Sequence, residues 1–360
     1  MKIALLGTRG IPARYGGFET FAEELSTRLA ERGHSVTVYS RTPYPEKTYR
    51  GVDLVPIPAP RHKYLETLGH TFLSTVHLLS NRPDVALYCN AANALITSLA
   101  RLGGVPVVLN VDGIERRRKK WNAAAKAWYL ISERLATWIP NFVVTDAERI
   151  REYYLERYRC RTVFIPYGAP VGAVTTNAVL RDLNLAPRRY FLYVTRFEPE
   201  NNPLLVREAF ETLDTSMKLA LVGDAPYAAE YIEKVRATND ARVVIPGAIY
   251  GTGYHELQSH CFAYVHATEV GGTHPALIEA MGRGALVLYL RTPENEEVAG
   301  GAGIPFERDT LADTMRLVLA MPEGERARYR ALAQERVRKR YSWEAVTDAY
   351  EQLLLRAVQS

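Results

Sequence analysis

Along the chain, short β-branched runs alternate with stretches of helical period from the first residue onward, the pattern of βαβ units wrapped around a parallel sheet. A first series of strands is predicted at residues 2–7, 36–39, 52–57, 85–89, 105–111 and 141–145. After the first of these, Phe18, Phe21, Ala22, Leu25 and Leu29 share one helical stripe that ends at Gly33, with Arg28 and Arg32 in its last turn. A second series is predicted at 190–196, 218–222, 242–245, 262–266 and 285–290. Between the two lies the stretch Ile165-Pro166-Tyr167-Gly168-Ala169-Pro170-Val171-Gly172 and a polar segment up to Arg189, the natural place for a domain boundary. No solenoid repeat, low-complexity tract or acidic tail interrupts this organisation. Ligands of doubly wound sheets bind at the carboxyl ends of the strands, so the chemistry is sought in the residues just after each strand.

Composition narrows the classes. With 360 residues, 47% hydrophobic and 24% charged, the chain has enough apolar material for two cores and too much for a disordered protein. Cys89, Cys160 and Cys261 are odd in number and far apart, which provides neither a disulfide framework nor a zinc site and suits a reducing cytoplasm. No apolar run approaches the roughly 18 to 20 residues of a spanning helix. The opening Met1–Leu6 run is too short for a signal peptide and reads as a buried strand. Net charge is +5, divided unevenly: residues 1–170 hold 24 Lys and Arg against 15 Asp and Glu, the remainder 21 against 25. A basic first half favours an anionic partner such as phosphate, a lipid surface or nucleic acid, or serves solubility alone.

Three loops carry candidate chemistry. After the first strand comes Gly7-Thr8-Arg9-Gly10-Ile11-Pro12-Ala13-Arg14-Tyr15-Gly16-Gly17-Phe18-Glu19. It is not G-x-G-x-x-G, but Gly16 and Gly17 at a helix start let backbone N–H groups approach an oxyanion; the alternative is a plain β-to-α turn. The next strand ends in Tyr39 and Ser40 rather than an acid, which argues against NAD. The densest group is His266-Ala267-Thr268-Glu269-Val270-Gly271-Gly272-Thr273-His274-Pro275, followed by a helix carrying Glu279. Pro275 suits the first helical position, so the amides of Gly271, Gly272 and Thr273 can point at a phosphate. Glu279 can accept ribose hydroxyls or merely complement the helix dipole. Glu269 at a strand end needs a partner, either a sugar hydroxyl or a cation, while His266 and His274 match no standard metal spacing. The third loop is Val194-Thr195-Arg196-Phe197-Glu198-Pro199-Glu200-Asn201-Asn202-Pro203, whose Arg196 can neutralise a diphosphate or pair with Glu198 or Glu200 on the surface.

The order R-x-x-P-E-x-N, then Leu221-Val222-Gly223-Asp224, then E…E-A-M-x-x-G, with Tyr341-Ser342-Trp343-Glu344 before a last helix, resembles the retaining, metal-independent family-4 glycosyltransferases of GT-B fold. The opening G-x-R-G-I-P-A-x-Y-G-G-F-E-T, the D-G-I-E stretch at Asp112, P-E-N-N and H-x-x-E-V-G-G-T-x-P resemble their rhamnosyltransferase-like branch. The resemblance implies an α/β chain of two Rossmann-like domains facing across a crevice: an acceptor domain over 1–170, a nucleotide-sugar donor domain over 171–341, and a helix over 342–360 packing back on the first. It implies that Arg196 binds the donor diphosphate, Glu279 the ribose, and Glu269 with Gly271, Gly272 and Thr273 the sugar and phosphate. Gly16 and Gly17 would close over the same phosphate, Tyr250 would face the base, and Asn201 and Gly223 would line the donor site. Two departures stand out. Asn201 replaces a lysine, and nine residues rather than seven lie between Glu269 and Glu279.

Asp112, in Asn110-Val111-Asp112-Gly113, is the ionisable candidate for orienting an acceptor hydroxyl or the donor sugar, or else a turn-forming Asp-Gly. The run Arg116-Arg117-Arg118-Lys119-Lys120-Trp121 suits an anionic membrane or a pyrophosphate-linked acceptor, or is a solvated turn. The expected activity is retaining transfer of a hexose or deoxyhexose, L-rhamnose favoured, from a nucleotide diphosphate sugar to a saccharide or lipid-linked saccharide in cell-surface polysaccharide assembly. The donor is dTDP-sugar in preference to UDP or GDP, with no metal. A cytoplasmic protein, peripheral on the inner face of the cell membrane and without nucleic acid, is expected. The alternatives are a GT-B nucleotide-sugar epimerase, which would act without acceptor, and a non-catalytic basic binder of membrane or nucleic acid, whose binding would vanish with salt.

Overall fold

The computed structural model describes residues 1–13, 16–59, 65–118, 121–225 and 228–360. The chain divides into two units, Met1–Tyr167 with Trp343–Ser360, and Gly168–Ser342. The first holds the strands β1 (Lys2–Leu6), β2 (Ser35–Ser40), β3 (Thr48–Tyr49), β4 (Val52–Pro56), β5 (Val85–Cys89), β6 (Val107–Asn110), β7 (Phe142–Thr145) and β8 (Val163–Phe164). They lie in the order β3-β4-β2-β1-β5-β6-β7-β8. All neighbours are parallel except β3 and β4. Every residue of β5 and β6 is buried, as expected of central strands covered on both faces. The order reverses between β1 and β5, which makes their carboxyl ends the switch point of this sheet.

The predicted apolar stripe forms the helix Gly17–Glu31, which buries Phe21, Ala22, Leu25 and Leu29, and Gly33 takes φ +87° just beyond its end. The last helix, Trp343–Val358, packs on it: the Phe21 and Tyr350 rings are 5.1 Å apart, and Arg32 pairs with Asp348 and Glu351, each at 2.7 Å. Tyr350 OH also accepts from Asn110 Nδ2 at 2.8 Å, which ties this helix to the end of β6.

The second unit holds β9 (Tyr190–Val194), β10 (Lys218–Val222), β11 (Val243–Gly247), β12 (Ala263–His266), β13 (Val287–Leu290) and β14 (Ile304–Phe306). Their order is β11-β10-β9-β12-β13-β14, all parallel, with the reversal between β9 and β12. Its core joins Phe191, Phe197, Phe210, Leu221, Val265 and Leu288. The expected α/β class with two Rossmann-like sheets is the architecture the chain adopts. Three short strands, β3, β8 and β14, were not predicted, because two or three residues are too few to express an alternating or apolar period.

Candidate functional site

In the second unit, the loops after β9 and β12 flank the switch point and are laced together. Glu269 N–H donates to the Glu200 carbonyl at 3.0 Å, and Asn202 Nδ2 donates to the Ala267 carbonyl at 2.8 Å and to Glu269 Oε1 at 3.2 Å. Tyr193 OH lies 3.2 Å from Thr268 Oγ1. Asn202 can do this because it takes the left-handed conformation, φ +54°, just before Pro203 opens a helix. Arg196 leaves this framework with its guanidinium about a third exposed and 3.9 Å from Glu198, a pair too long and too wet to hold it. Asn201 is buried and its amide turns back on the chain, donating to the Arg196 carbonyl at 2.8 Å. It therefore fixes the backbone that carries Arg196. Glu269 is held by Asn202 and by the Arg308 guanidinium.

The Gly271–Thr273 turn rests on a buried polar chain. Asn295 donates both amide hydrogens, to the Thr268 carbonyl at 3.0 Å and the Leu290 carbonyl at 2.8 Å, so its Oδ1 faces His274 Nδ1 at 2.6 Å. His274 accordingly carries its proton on Nδ1. His266 Nε2 lies 2.8 Å from the same nitrogen. Burial holds His266 well below the usual histidine range, with His274 as a lesser cause. The His274 ring sits against the turn so closely that a Cβ at Gly271 would come within 2.2 Å of Nε2. Gly272 and Thr273 are buried, and Pro275 stands at the first helical position as predicted.

Glu279 lies one turn into the helix Pro275–Gly282, nearly buried, and accepts from Tyr254 OH at 2.5 Å. Gln258 Nε2 donates to that hydroxyl at 2.8 Å and so directs its hydrogen at the carboxylate. Burial, then the Glu279 charge, pushes the Tyr254 phenol well up. Tyr250 precedes the helix Gly251–His260 and is half-exposed. Gly223 directly follows β10 at φ +155°, where a Cβ would lie 1.7 Å from the Thr195 carbonyl oxygen. Only glycine lets the two chains pass so closely beside Arg196.

In the first unit, Gly16 caps the helix that Gly17 opens, and two carboxylates from that helix hold the preceding loop. Glu19 Oε1 accepts from Arg9 N–H at 3.0 Å and Glu23 Oε2 from Ala13 N–H at 2.6 Å. Burial pushes the Glu19 carboxyl up, against the opposing pull of the Arg9 backbone and Arg41. Asp112 adopts φ +58°, its N–H donates to Asn110 Oδ1 at 2.9 Å, and Tyr167 OH reaches its Oδ1 at 3.4 Å. Of the three described arginines of the basic run, two are turned inward. Arg116 pairs with buried Glu133 at 3.1 Å, and Arg118 is buried on Glu115, which also accepts from Trp121 Nε1 at 3.1 Å. Arg117 is exposed, and Lys119 and Lys120 lie outside the described residues. Among the described residues no group of three or more His, Cys, Asp or Glu side chains is arranged to hold a metal ion.

Sequence reasoning missed Tyr254, Gln258, Asn202, Arg308 and Asn295. Tyr254, Asn202, Arg308 and Asn295 reach their partners from another element, and no local spacing announces that; Gln258 sits one turn after Tyr254 on the same helix, but its task depends on Glu279 from a different one.

Residues 16–168 match the model of the glycosyl transferase 4-like domain, and residues 181–336 that of the glycosyl transferases group 1. Lipopolysaccharide 1,2-N-acetylglucosaminetransferase of Salmonella typhimurium is 26% identical over 236 residues, 58% of this chain and 61% of that protein, so the match spans under two thirds of that relative. Among solved structures, Anabaena HepE in complex with UDP and glucose superposes with a TM-score of 0.79 at 16% identity, covering 98% of this chain and 99% of that one. Sucrose-phosphate synthase from Thermosynechococcus elongatus does so with 0.79 at 20% identity, covering 98% of each chain. WaaG, a glycosyltransferase involved in lipopolysaccharide biosynthesis, gives 0.72 at 14% identity, covering 98% and 99%. With the two domain models matched in tandem over most of its length and a Rossmann-like sheet beneath each, the chain belongs to the family-4-like glycosyltransferases of GT-B fold.

Proposed function

We propose that the protein transfers a hexose or deoxyhexose, L-rhamnose first, from a nucleoside diphosphate sugar to a saccharide or lipid-linked saccharide acceptor, with retention and without a metal ion. The donor is a dTDP-sugar before a UDP- or GDP-sugar. The product enters a cell-surface polysaccharide, and the enzyme works on the cytoplasmic side in peripheral contact with the membrane. One observation carries the reading: at the switch point of the second sheet, the loop bearing Arg196 is bonded to the loop that leads into the Gly271–Thr273 turn and the start of a helix. A guanidinium beside helix-terminal amides is the donor set that a departing diphosphate requires. HepE, solved with UDP and with UDP and glucose, supports a nucleotide sugar. The Salmonella transferase and WaaG support a polysaccharide setting.

In this reading the bond from the anomeric carbon to the diphosphate oxygen breaks as Arg196 and the turn amides take up the charge. The acceptor hydroxyl attacks the oxocarbenium from the same face, and its proton passes to the leaving phosphate oxygen, so no dedicated base is needed. Glu279, directed by Tyr254, receives the ribose; Tyr250 faces the base; Glu269 holds the donor sugar. Asn201 and Gly223 shape the backbone around Arg196. Gly16 and Gly17 are the amides the first unit offers to a phosphate, and Asp112 the carboxylate it offers to a hydroxyl. A thermal-shift panel of nucleoside diphosphates tests ligand class, since a ligand of the native state raises the midpoint in step with its affinity. Arg196→Ala is expected to lose roughly a hundredfold or more in kcat, the scale of removing one donor to a developing charge, while the unfolding midpoint stays put. Near-normal turnover in that variant refutes the assignment.

A further inference from the structure

Two helices of the first unit are built inside out. The helix Glu66–Ser80 buries His70, Thr71, Ser74 and Thr75 along with Leu78, and presents Phe72, Leu73 and Val76 to solvent, 47%, 43% and 48% exposed. The helix Ala123–Ala136 buries Ser132 and Glu133 beside Tyr129 and Ala136, and exposes Leu130 and Ile131. A helix bathed on one side by water carries the opposite arrangement. Part of the inward polar face is bonded in place: the Ser74 and Thr75 hydroxyls donate to the His70 and Thr71 carbonyls, and Thr75 Oγ1 also meets Tyr88 OH at 2.9 Å, while the Thr71 and Ser132 hydroxyls are buried without a partner among the described residues. Glu133 receives the Tyr153 and Tyr158 hydroxyls. The short turn Ala91–Asn93 touches both helices, which makes them neighbours, and exposed Leu95 follows it. Trp138, 66% exposed, closes the far end with the Arg134 guanidinium 4.3 Å over its ring.

Charge identifies the occupant. Among the described residues of 65–138, 7 Lys and Arg stand against 5 Asp and Glu, and the imbalance lies in the exposed ones. Arg82, Arg101, Arg117, Lys126 and Arg134 are exposed. The five acids are otherwise engaged: Glu66 with Arg41, Glu115 with Arg118, Glu133 with Arg116, Asp84 with the Lys2 N–H, and Asp112 with Tyr167 OH. We propose that this face is a membrane-docking surface for an anionic bilayer, with Phe72, Val76, Leu130 and Ile131 entering the boundary between headgroups and acyl chains and the cations meeting the headgroups. A second copy fits less well, because a two-fold interface through this face sets cations opposite cations. Among the described residues no helix is long and apolar enough to cross a membrane, so the contact is one of lying on the surface. The proposal rests on the membrane contact of the transferase reading and names the surface that makes it.

The test is co-sedimentation of the full chain with phosphatidylcholine vesicles, with and without phosphatidylglycerol. Binding is expected only with the anionic lipid and weakens with salt. Phe72→Ser combined with Leu130→Ser lowers partitioning by roughly tenfold or more, the scale of withdrawing two apolar side chains. Arg101→Glu with Lys126→Glu lowers it by about tenfold or more, the scale of removing basic residues near the surface. Equal affinity for both vesicles, no affinity for either, or a concentration-dependent dimer broken by Phe72→Ser overturns the proposal. Thermal shift by a nucleoside diphosphate is read on the same samples without lipid. Its persistence in the variants shows an intact fold, and its absence in every form sinks the transferase reading while leaving the vesicle result standing.

Discussion

His70 gives the sharpest quantitative handle on the first unit. Its side chain is fully buried on the inward face of the inverted helix, and neither ring nitrogen makes a well-formed hydrogen bond to the described residues, the Ser40 backbone opposing the burial only weakly. Burial, with Arg41 adding to it, pulls its pKa from the ordinary 6.5 down to about 4. The folded chain therefore holds a neutral ring, whereas the unfolded chain takes up a proton near pH 6.5. Stability is whole above that value and is lost as pH falls toward the folded pKa. At about 1.4 kcal/mol per unit of separation, acidification to about pH 5 removes roughly 2 kcal/mol through this one site, a sizeable part of the 5–15 kcal/mol that holds a domain together. His70→Gln abolishes the titration and keeps a polar side chain in place. Urea unfolding of both proteins at about pH 7.5 and pH 5 measures the difference, and other titrating groups cancel between them. If the variant loses as much stability on acidification as the wild type, the buried neutral ring is not what makes the first unit acid-sensitive.

Two further substitutions probe the second unit. Tyr254→Phe removes the hydroxyl that directs Glu279 and is expected to weaken nucleoside diphosphate binding by roughly tenfold, the scale of a hydrogen bond to a charged group, as read by titration calorimetry. Asn295→Ala leaves the Thr268 and Leu290 carbonyls and His274 Nδ1 without their shared partner; a loss of about 1–3 kcal/mol in urea unfolding is expected, together with weaker diphosphate binding because the Gly271–Thr273 turn loosens.

What the sequence could convey was periodic or local. Residues 85–89 and 218–222 were placed as strands to the residue, because central parallel strands are continuous apolar runs bounded by turns. Arg196, Glu269 and Glu279 were legible as residues that follow strands or open a helix, which is a statement about position. Their surroundings were not, since Asn202, Arg308, Tyr254 and Asn295 reach their partners from 21 to 67 residues away. The basic run at 116–120 illustrates the converse: charge is visible in a sequence, yet burial of Arg118 and the pairing of Arg116 with Glu133 depend on a helix packed later in the chain. The inverted helices are illegible in the sequence for a related reason. A stripe of apolar residues at helical spacing looks the same whether it faces the core or the solvent, and only the burial of the serines and threonines on the opposite side reveals which.

The two departures from the family pattern find a physical account in the loops themselves. Asn201 stands where a lysine would add a second cation, and it spends its amide on the Arg196 carbonyl. The loop thereby gives up charge and gains a fixed backbone for the guanidinium that remains, a trade that favours direction over raw field strength. The longer interval between Glu269 and Glu279 adds chain at the turn that must be supported, and that support is the His266, His274 and Asn295 chain, with Gly271 lacking a side chain because the His274 ring occupies its space. Because Asn202 and Arg308 already satisfy part of Glu269, a sugar hydroxyl that reaches this carboxylate must share it with existing donors. Under the transferase reading, Glu269 then contributes more to holding the turn in register with Arg196 than to binding energy. Its truncation should disturb diphosphate and sugar alike.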